Sequence, residues 1–134
     1  MKKRVRAGES VLKQLWLFNQ IADQAMVLAS PAVSGNLVVI AAQDHNAYAL
    51  DLATGQLRWK FPTAGPLDAS PLIAGPRVYL ASQDRRLYVL DLTTGKKLWQ
   101  FTVAAPLTAT PAIGRGVIVL ADTAGTVYCL QPKP

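Results

Sequence analysis

Apolar residues in this chain come in short runs broken by polar turns. Leu37 to Ala42, Arg77 to Ser82 and Val117 to Ala121 are such runs, rich in Val, Leu, Ile and Ala. Each is followed by a polar turn: Gln43-Asp44-His45-Asn46, Gln83-Asp84-Arg85-Arg86 and Thr123-Ala124-Gly125-Thr126. Short apolar runs bounded by turn residues read as strands buried on both faces. Four kinds of strand recur. Strand A is predicted at Pro31–Ser34, Pro71–Ala74 and Pro111–Gly114, and strand B at the runs just named. Strand C is predicted at Asn46–Leu52, Arg86–Leu92 and Thr126–Leu130, and strand D at Leu57–Pro62 and Leu98–Val103. Proline at the start of strand A is tolerated because a first residue need not donate to the ladder.

The units repeat every 40 residues, starting at Ser30-Pro31, Ser70-Pro71 and Thr110-Pro111. Aligned without gaps, residues 30–69 and 70–109 are identical at 19 of 40 positions, a periodicity that outranks any local propensity. The segment Val11–Phe18 ends in Trp16-Leu17-Phe18, the W-x-F step also seen at Trp59-Lys60-Phe61 and Trp99-Gln100-Phe101. It therefore reads as a strand D whose earlier strands are missing. A helix running from Val11 through Ile21-Ala22 is the competing reading. Residues 19–28 then form a connector three residues longer than its counterparts. The third unit runs into Gln131-Pro132-Lys133-Pro134 without a further strand. The expected order is D-ABCD-ABCD-ABC: all-β, about three four-stranded units cut out of phase, with a tail at 1–13, repeats over 14–130 and a short tail at 131–134.

The most specific stretch joins strands C and D. Ala49-Leu50-Asp51-Leu52-Ala53-Thr54-Gly55-Gln56-Leu57-Arg58-Trp59 is repeated as Val89-Leu90-Asp91-Leu92-Thr93-Thr94-Gly95-Lys96-Lys97-Leu98-Trp99. Gly55 and Gly95 supply the positive φ of a tight turn, and Asp51 and Asp91 can accept hydrogen bonds from N–H groups two or three residues on. This pattern, A-x-D-x-x-T-G-x-x-x-W, resembles the tryptophan-docking motif of the pyrroloquinoline-quinone-type (PQQ-type) β-propeller repeat. The first copy matches at Ala49, Asp51, Thr54, Gly55 and Trp59, and the second at Asp91, Thr94, Gly95 and Trp99, with Val89 replacing Ala. The resemblance implies a propeller in which Trp59 and Trp99 pack between neighbouring blades, at similar cost if removed. Trp16 takes the same part, although Leu12 stands where the turn glycine belongs. In that family Asp-Gly is common at the B–C turn. Only Gly125 keeps the glycine, so His45 and Arg85 are expected at positive φ.

Composition narrows the functions. Charged residues are 16% of the chain, and Glu9 is the sole glutamate. The net charge of +6 is concentrated in Lys2, Lys3, Arg4 and Arg6. That run reads as a solvated start, since no aromatic-studded basic surface accompanies it to bind nucleic acid. The polar Glu9-Ser10 and Lys13-Gln14 interrupt any secretory apolar region, and no stretch is long enough to span a membrane, so the sequence as it stands reads as cytoplasmic. The resembling family is often periplasmic. The single Cys129, in an apolar run, reads as a buried structural thiol. His45 has no partners for a metal or nucleophilic site, and Asp51 and Asp91 are too far apart to share a proton.

Quinoprotein dehydrogenases of the resembling family hold quinone and Ca²⁺ through acidic and amide side chains and often a vicinal disulfide. This sequence offers one glutamate and one cysteine, so no cofactor, metal or catalytic residue is expected. The resemblance is to the non-catalytic branch, similar to the outer-membrane assembly lipoprotein. It implies a scaffold for protein or peptide partners; the alternative is a piece of a PQQ-dependent dehydrogenase. Three blades cannot close a ring that takes 4–8, so the chain is expected to close by association, with a six-bladed homodimer favoured.

Overall fold

The structure, a computed structural model, describes residues 8, 11–22 and 25–132. The basic run from Lys2 to Arg6 lies outside them. Eleven strands form among the described residues. The first sheet holds β1 (Ala32–Ser34), β2 (Leu37–Ala41), β3 (Asn46–Asp51) and β4 (Leu57–Pro62) in that order. The second holds β5 (Leu72–Ala74), β6 (Arg77–Ser82), β7 (Arg86–Asp91) and β8 (Lys97–Thr102). The third has three strands, β9 (Ala112–Gly114), β10 (Val117–Ala121) and β11 (Val127–Leu130). All pairings are antiparallel, and the strands fall within one residue of the boundaries expected at each end. The fold is all-β, an unclosed run of propeller blades. No helix among the described residues is long and apolar enough to cross a membrane.

One expected element is not a strand. Residues 11–22 carry neither the leading strand D nor the competing helix. A strand is defined by its ladder, and among the described residues no strand C pairs with 16–18. Their position is nevertheless that of a strand D, as the joints below demonstrate.

The core lies between sheets rather than within one. Val39, Ala41, Ala47 and Ala49 of the first sheet meet Val78, Leu80, Tyr88 and Leu90 of the second. Tyr79, Ala81, Leu87 and Val89 on the other face meet Ile118 and Leu120 of the third. Strands B and C of the middle blade are thus covered on both faces, which is why their sequences are continuously apolar. In the C–D pairs the register slips between Ala49 and Leu50 and again between Val89 and Leu90. The same bulge in both blades re-aims strand D after its turn.

Candidate functional site: the joints between blades

The repeated C–D turn is held by its aspartate. The N–H groups of Ala53 and Thr54 donate to Asp51 Oδ1 at 2.9 and 3.0 Å, and Gly55 N–H donates to the Asp51 carbonyl at 2.7 Å. Thr93 and Thr94 N–H both lie 2.9 Å from Asp91 Oδ1, and Gly95 N–H donates to the Asp91 carbonyl at 2.8 Å. Asn36 Nδ2 and Arg58 add bonds to Asp51 Oδ2 at 2.8 and 3.1 Å. Partial desolvation would raise the Asp51 carboxyl, but the Thr54 and Ala53 N–H groups reverse it, and the carboxyl sits below its ordinary value. Asp91 is held low chiefly by the Thr94 N–H. Thr54 and Thr94 also turn their Oγ1 atoms to the N–H groups of Gln56 and Lys96, each at 3.3 Å.

Each turn then receives a tryptophan from the preceding blade. Trp59 Nε1 donates to the Leu92 carbonyl at 2.8 Å, and its ring lies on Gly95, φ +74°, where a Cβ would come within 2.5 Å of ring carbon. Trp16 repeats this on the first blade: Nε1 to the Leu52 carbonyl at 2.7 Å, ring on Gly55, φ +74°, at the same 2.5 Å. The glycine is therefore required twice, for its backbone conformation and for the space the indole fills.

Other contacts repeat with the tryptophan. Phe18 meets Tyr48, Phe61 meets Tyr88 and Phe101 meets Tyr128, all edge to face, at centroid distances of 5.7, 5.3 and 6.1 Å. The Tyr48 and Tyr88 hydroxyls donate to Asp44 and Asp84. Burial, then the adjacent Asp44 carboxylate, push the Tyr48 phenol up to about 12. In the third blade the acid has moved: Asp122 occupies the place of Ala42 and Ser82, yet its Oδ2 still accepts from Tyr128 at 3.0 Å. Just before each strand A, Ser30 N–H donates to Ser70 Oγ at 2.9 Å and Ser70 N–H to Thr110 Oγ1 at 3.0 Å, linking repeat-equivalent residues.

The sequence reading missed the Phe–Tyr pairs, the Ser30–Ser70–Thr110 ladder and the Leu52 and Leu92 carbonyls. The 40-residue spacing of Tyr48, Tyr88 and Tyr128 was the available signal for the first; main-chain acceptors leave none. His45 and Arg85 adopt φ of 76° and 70°, beside Gly125 at 84°, as their turns require.

Two expectations need correction. Cys129 is exposed, not buried. Its equivalents Ala49 and Val89 are fully covered because a strand D lies beside them; β11 has no such neighbour among the described residues. Trp99 is not equivalent to Trp59. It donates no bond to a turn among the described residues, and it lines an open cleft of about 760 Å³ with Phe101, Ile118, Leu130, Pro132 and Arg77. The third blade supplies no turn among the described residues to fill that space.

All six described aspartates are committed: Asp51 and Asp91 to their turns, Asp44, Asp84 and Asp122 to tyrosines, and Asp68 to the Gln43 and Gln83 amides. No three His, Cys, Asp or Glu side chains come together among the described residues.

Repeated blades joined this way define a PQQ-type β-propeller repeat protein. The family model described as outer membrane protein assembly factor BamB matches residues 7–134, and the chain belongs to that family. No curated protein matches it. Among solved structures, BamB from Moraxella catarrhalis superposes with a TM-score of 0.74 at 23% identity, over 83% of this chain and 35% of that one. The quinohemoprotein alcohol dehydrogenase ADHIIG from Pseudomonas putida HK5 superposes at 0.75 and 21% identity, over 83% of this chain and 20% of that one. These likenesses concern the fold, and the chain spans about a third and a fifth of the two structures.

Proposed function

We propose that the chain is a non-enzymatic propeller scaffold for protein or peptide partners, and that it associates with itself into a closed ring. The observation that carries this is the match of the assembly-factor family model over residues 7–134; β11, with Cys129 and Val127 exposed on it, has no strand on its outer edge among the described residues. Unpaired edges and apolar surface favour association. Membership of an assembly-factor family supports a protein partner. The Trp16, Trp59 and Trp99 motif serves in this reading to set blade against blade, with Asp51, Thr54, Gly55, Asp91, Thr94 and Gly95 shaping the receiving turns. Light scattering on a size-exclusion column tests the ring: the mass of two chains is expected, and a monodisperse single chain at micromolar concentration refutes it.

The alternative, a module of a PQQ-dependent dehydrogenase, is favoured by the likeness to the alcohol dehydrogenase blades. Calorimetry with quinone and Ca²⁺ separates the two. The scaffold predicts no saturable heat; stoichiometric uptake with dye-linked alcohol oxidation would establish the enzyme.

A further inference from the structure

We infer, resting on the scaffold reading above, that the end of the blades carrying the A–B and C–D turns is a docking surface for an acidic segment of a partner protein.

Hydrogen bonds fix which turns share an end. Leu52 N–H donates to the Asn36 carbonyl at 2.8 Å and Leu92 N–H to the Pro76 carbonyl at 2.9 Å, so each C–D turn lies against an A–B turn. At the opposite end Thr63 N–H donates to the His45 carbonyl and Val103 N–H to the Arg85 carbonyl, both at 2.8 Å. That bond puts the B–C turns beside the connectors between blades.

The charges of residues 30–130 divide unequally between these ends. The end with the A–B and C–D turns carries Arg58, Arg77, Lys96, Lys97 and Arg115 against two carboxylates, Asp51 and Asp91. The opposite end carries Asp44, Asp68, Asp84 and Asp122 against two cations, Arg85 and Arg86. Lys60 lies along strand D between them, its Nζ 5.6 Å from the Tyr48 ring centroid. One end is therefore positive and the other negative.

Internal pairing does not cancel this. At the positive end Arg58 bonds Asp51 at 3.1 Å, and no other ion pair forms there among the described residues. Lys97 Nζ is bonded to the neutral Gln100 Oε1 at 2.9 Å, and Lys96, Lys97 and Arg115 are all exposed. At the negative end tyrosine hydroxyls and glutamine amides hold the aspartates, which leaves their charge in place. Arg86 comes no nearer than 4.0 Å to Asp84. The third A–B turn adds to the asymmetry. Arg115 stands at φ 51°, where Gly35 and Gly75 stand at 55° and 57° in the equivalent turns. A side chain is strained in that conformation, and here it brings a further cation to the positive end.

Opposite charge at the two ends draws an anionic partner to one and turns it from the other, so it orients as well as attracts. Leu57 and Leu98 are 37 and 46% exposed and stand in the chain beside Arg58 and Lys97. Apolar contact within a charged rim is the make-up of a protein interface. Nucleic-acid bases stack on free aromatic rings, and lipid headgroups take free indoles. Trp16 and Trp59 are not free, because their rings rest on Gly55 and Gly95. The occupant that fits is a segment of Asp and Glu residues with apolar residues among them.

Fluorescence anisotropy on the full chain tests this, using a labelled peptide of glutamates and a few leucines. The same peptide with lysine for each glutamate is the control. The acidic peptide is expected to bind saturably and the basic one not to bind. Affinity should fall by about tenfold between roughly 50 and 200 mM salt. Arg115→Asn and Arg85→Asn form a matched pair at opposite ends: each removes one positive charge from a positive-φ position that asparagine tolerates. Arg115→Asn, and Lys96→Gln with Lys97→Gln, should weaken binding by about threefold per charge removed, while Arg85→Asn leaves it unchanged. Equal losses in Arg115→Asn and Arg85→Asn overturn the docking face, since net charge alone then governs binding. Absence of saturable binding by the acidic peptide overturns the partner class, and a two-chain mass on the column leaves self-association standing in that case. Displacement of the peptide by lower concentrations of phosphatidylglycerol vesicles or of a DNA duplex overturns the protein partner. Quinone and Ca²⁺ uptake with alcohol oxidation overturns the scaffold reading itself.

Discussion

Gly95 offers the sharpest test of the joint, because a second glycine serves as its control. Gly75 and Gly95 both have positive φ, +57° and +74°, so alanine at either incurs the left-handed strain of roughly 1–2 kcal/mol. A Cβ at Gly75 meets nothing within 4 Å, whereas at Gly95 it lies 2.5 Å from the Trp59 ring. The indole must retreat by about 1 Å to restore ordinary contact near 3.5 Å. That movement breaks the 2.8 Å bond to the Leu92 carbonyl, a loss of about 1 kcal/mol, and lifts a ring only 8% exposed out of its packing. Complete removal of such a ring costs about 3–5 kcal/mol, so displacement should lose roughly half of that. Gly75→Ala should therefore cost about 1 kcal/mol and Gly95→Ala about 3–4 kcal/mol. Urea unfolding measures both, and a double-mutant cycle isolates the contact. In a Trp59→Leu background the cost of Gly95→Ala should fall to that of Gly75→Ala, a coupling of about 2 kcal/mol. If Gly95→Ala costs no more than Gly75→Ala, or its excess survives in the Trp59→Leu background, the indole does not rest on this glycine in solution.

Trp59→Ala should destabilise the chain by about 3–5 kcal/mol. If the chain associates as proposed, Trp99→Ala should cost less at the lowest workable protein concentration and more as concentration rises, because association would cover its cleft; equal, concentration-independent costs would refute this. Arg85→Gly should be neutral or stabilising by about 0.5 kcal/mol, because relief of the positive φ slightly exceeds the added unfolded-state freedom; a clear loss in urea midpoint would contradict the strain. Asp51 and Asp91 have folded pKa values below 3.8, so their contribution is whole above that value and is lost as pH falls through the lower folded value. The urea midpoint should drop below about pH 4, less so in Asp51→Asn and Asp91→Asn, and an unchanged acid limb in both variants would refute the assignment. Tyr48 is raised from 10.0 to about 12, so its contribution is whole below pH 10 and is lost between those values. Tyr48→Phe should flatten the alkaline limb, and an identical limb in wild type and variant would count against the Asp44 pairing.

Much of the fold was legible because it is written three times. A hairpin's signals are local: an apolar run, an aspartate that caps, a glycine that turns. Repetition every 40 residues showed that Asp51 and Asp91, or Gly55 and Gly95, answer the same demand. The positive φ at His45 and Arg85 followed from Gly125 in the equivalent place. The joints were less legible. That a tryptophan goes between blades could be expected, but its acceptors, the Leu52 and Leu92 carbonyls, are main-chain atoms that every residue possesses. The move of the tyrosine's acid partner from Asp44 and Asp84 to Asp122 breaks the repeat in one dimension and preserves it in space.

Sequence alone determined the eleven strands of the three sheets and their turns, because these depend on residues a few positions apart. Tertiary structure decided which repeat-equivalent residues have equivalent surroundings. Trp59 is enclosed and Trp99 opens onto a cleft, and Ala49 and Val89 are covered while Cys129 is exposed, although each set stands at matching positions. Residues 16–18 keep the place of a strand without its ladder for the same reason. Burial and pairing are properties of the neighbouring blade, and a blade's neighbour is not encoded in its own 40 residues.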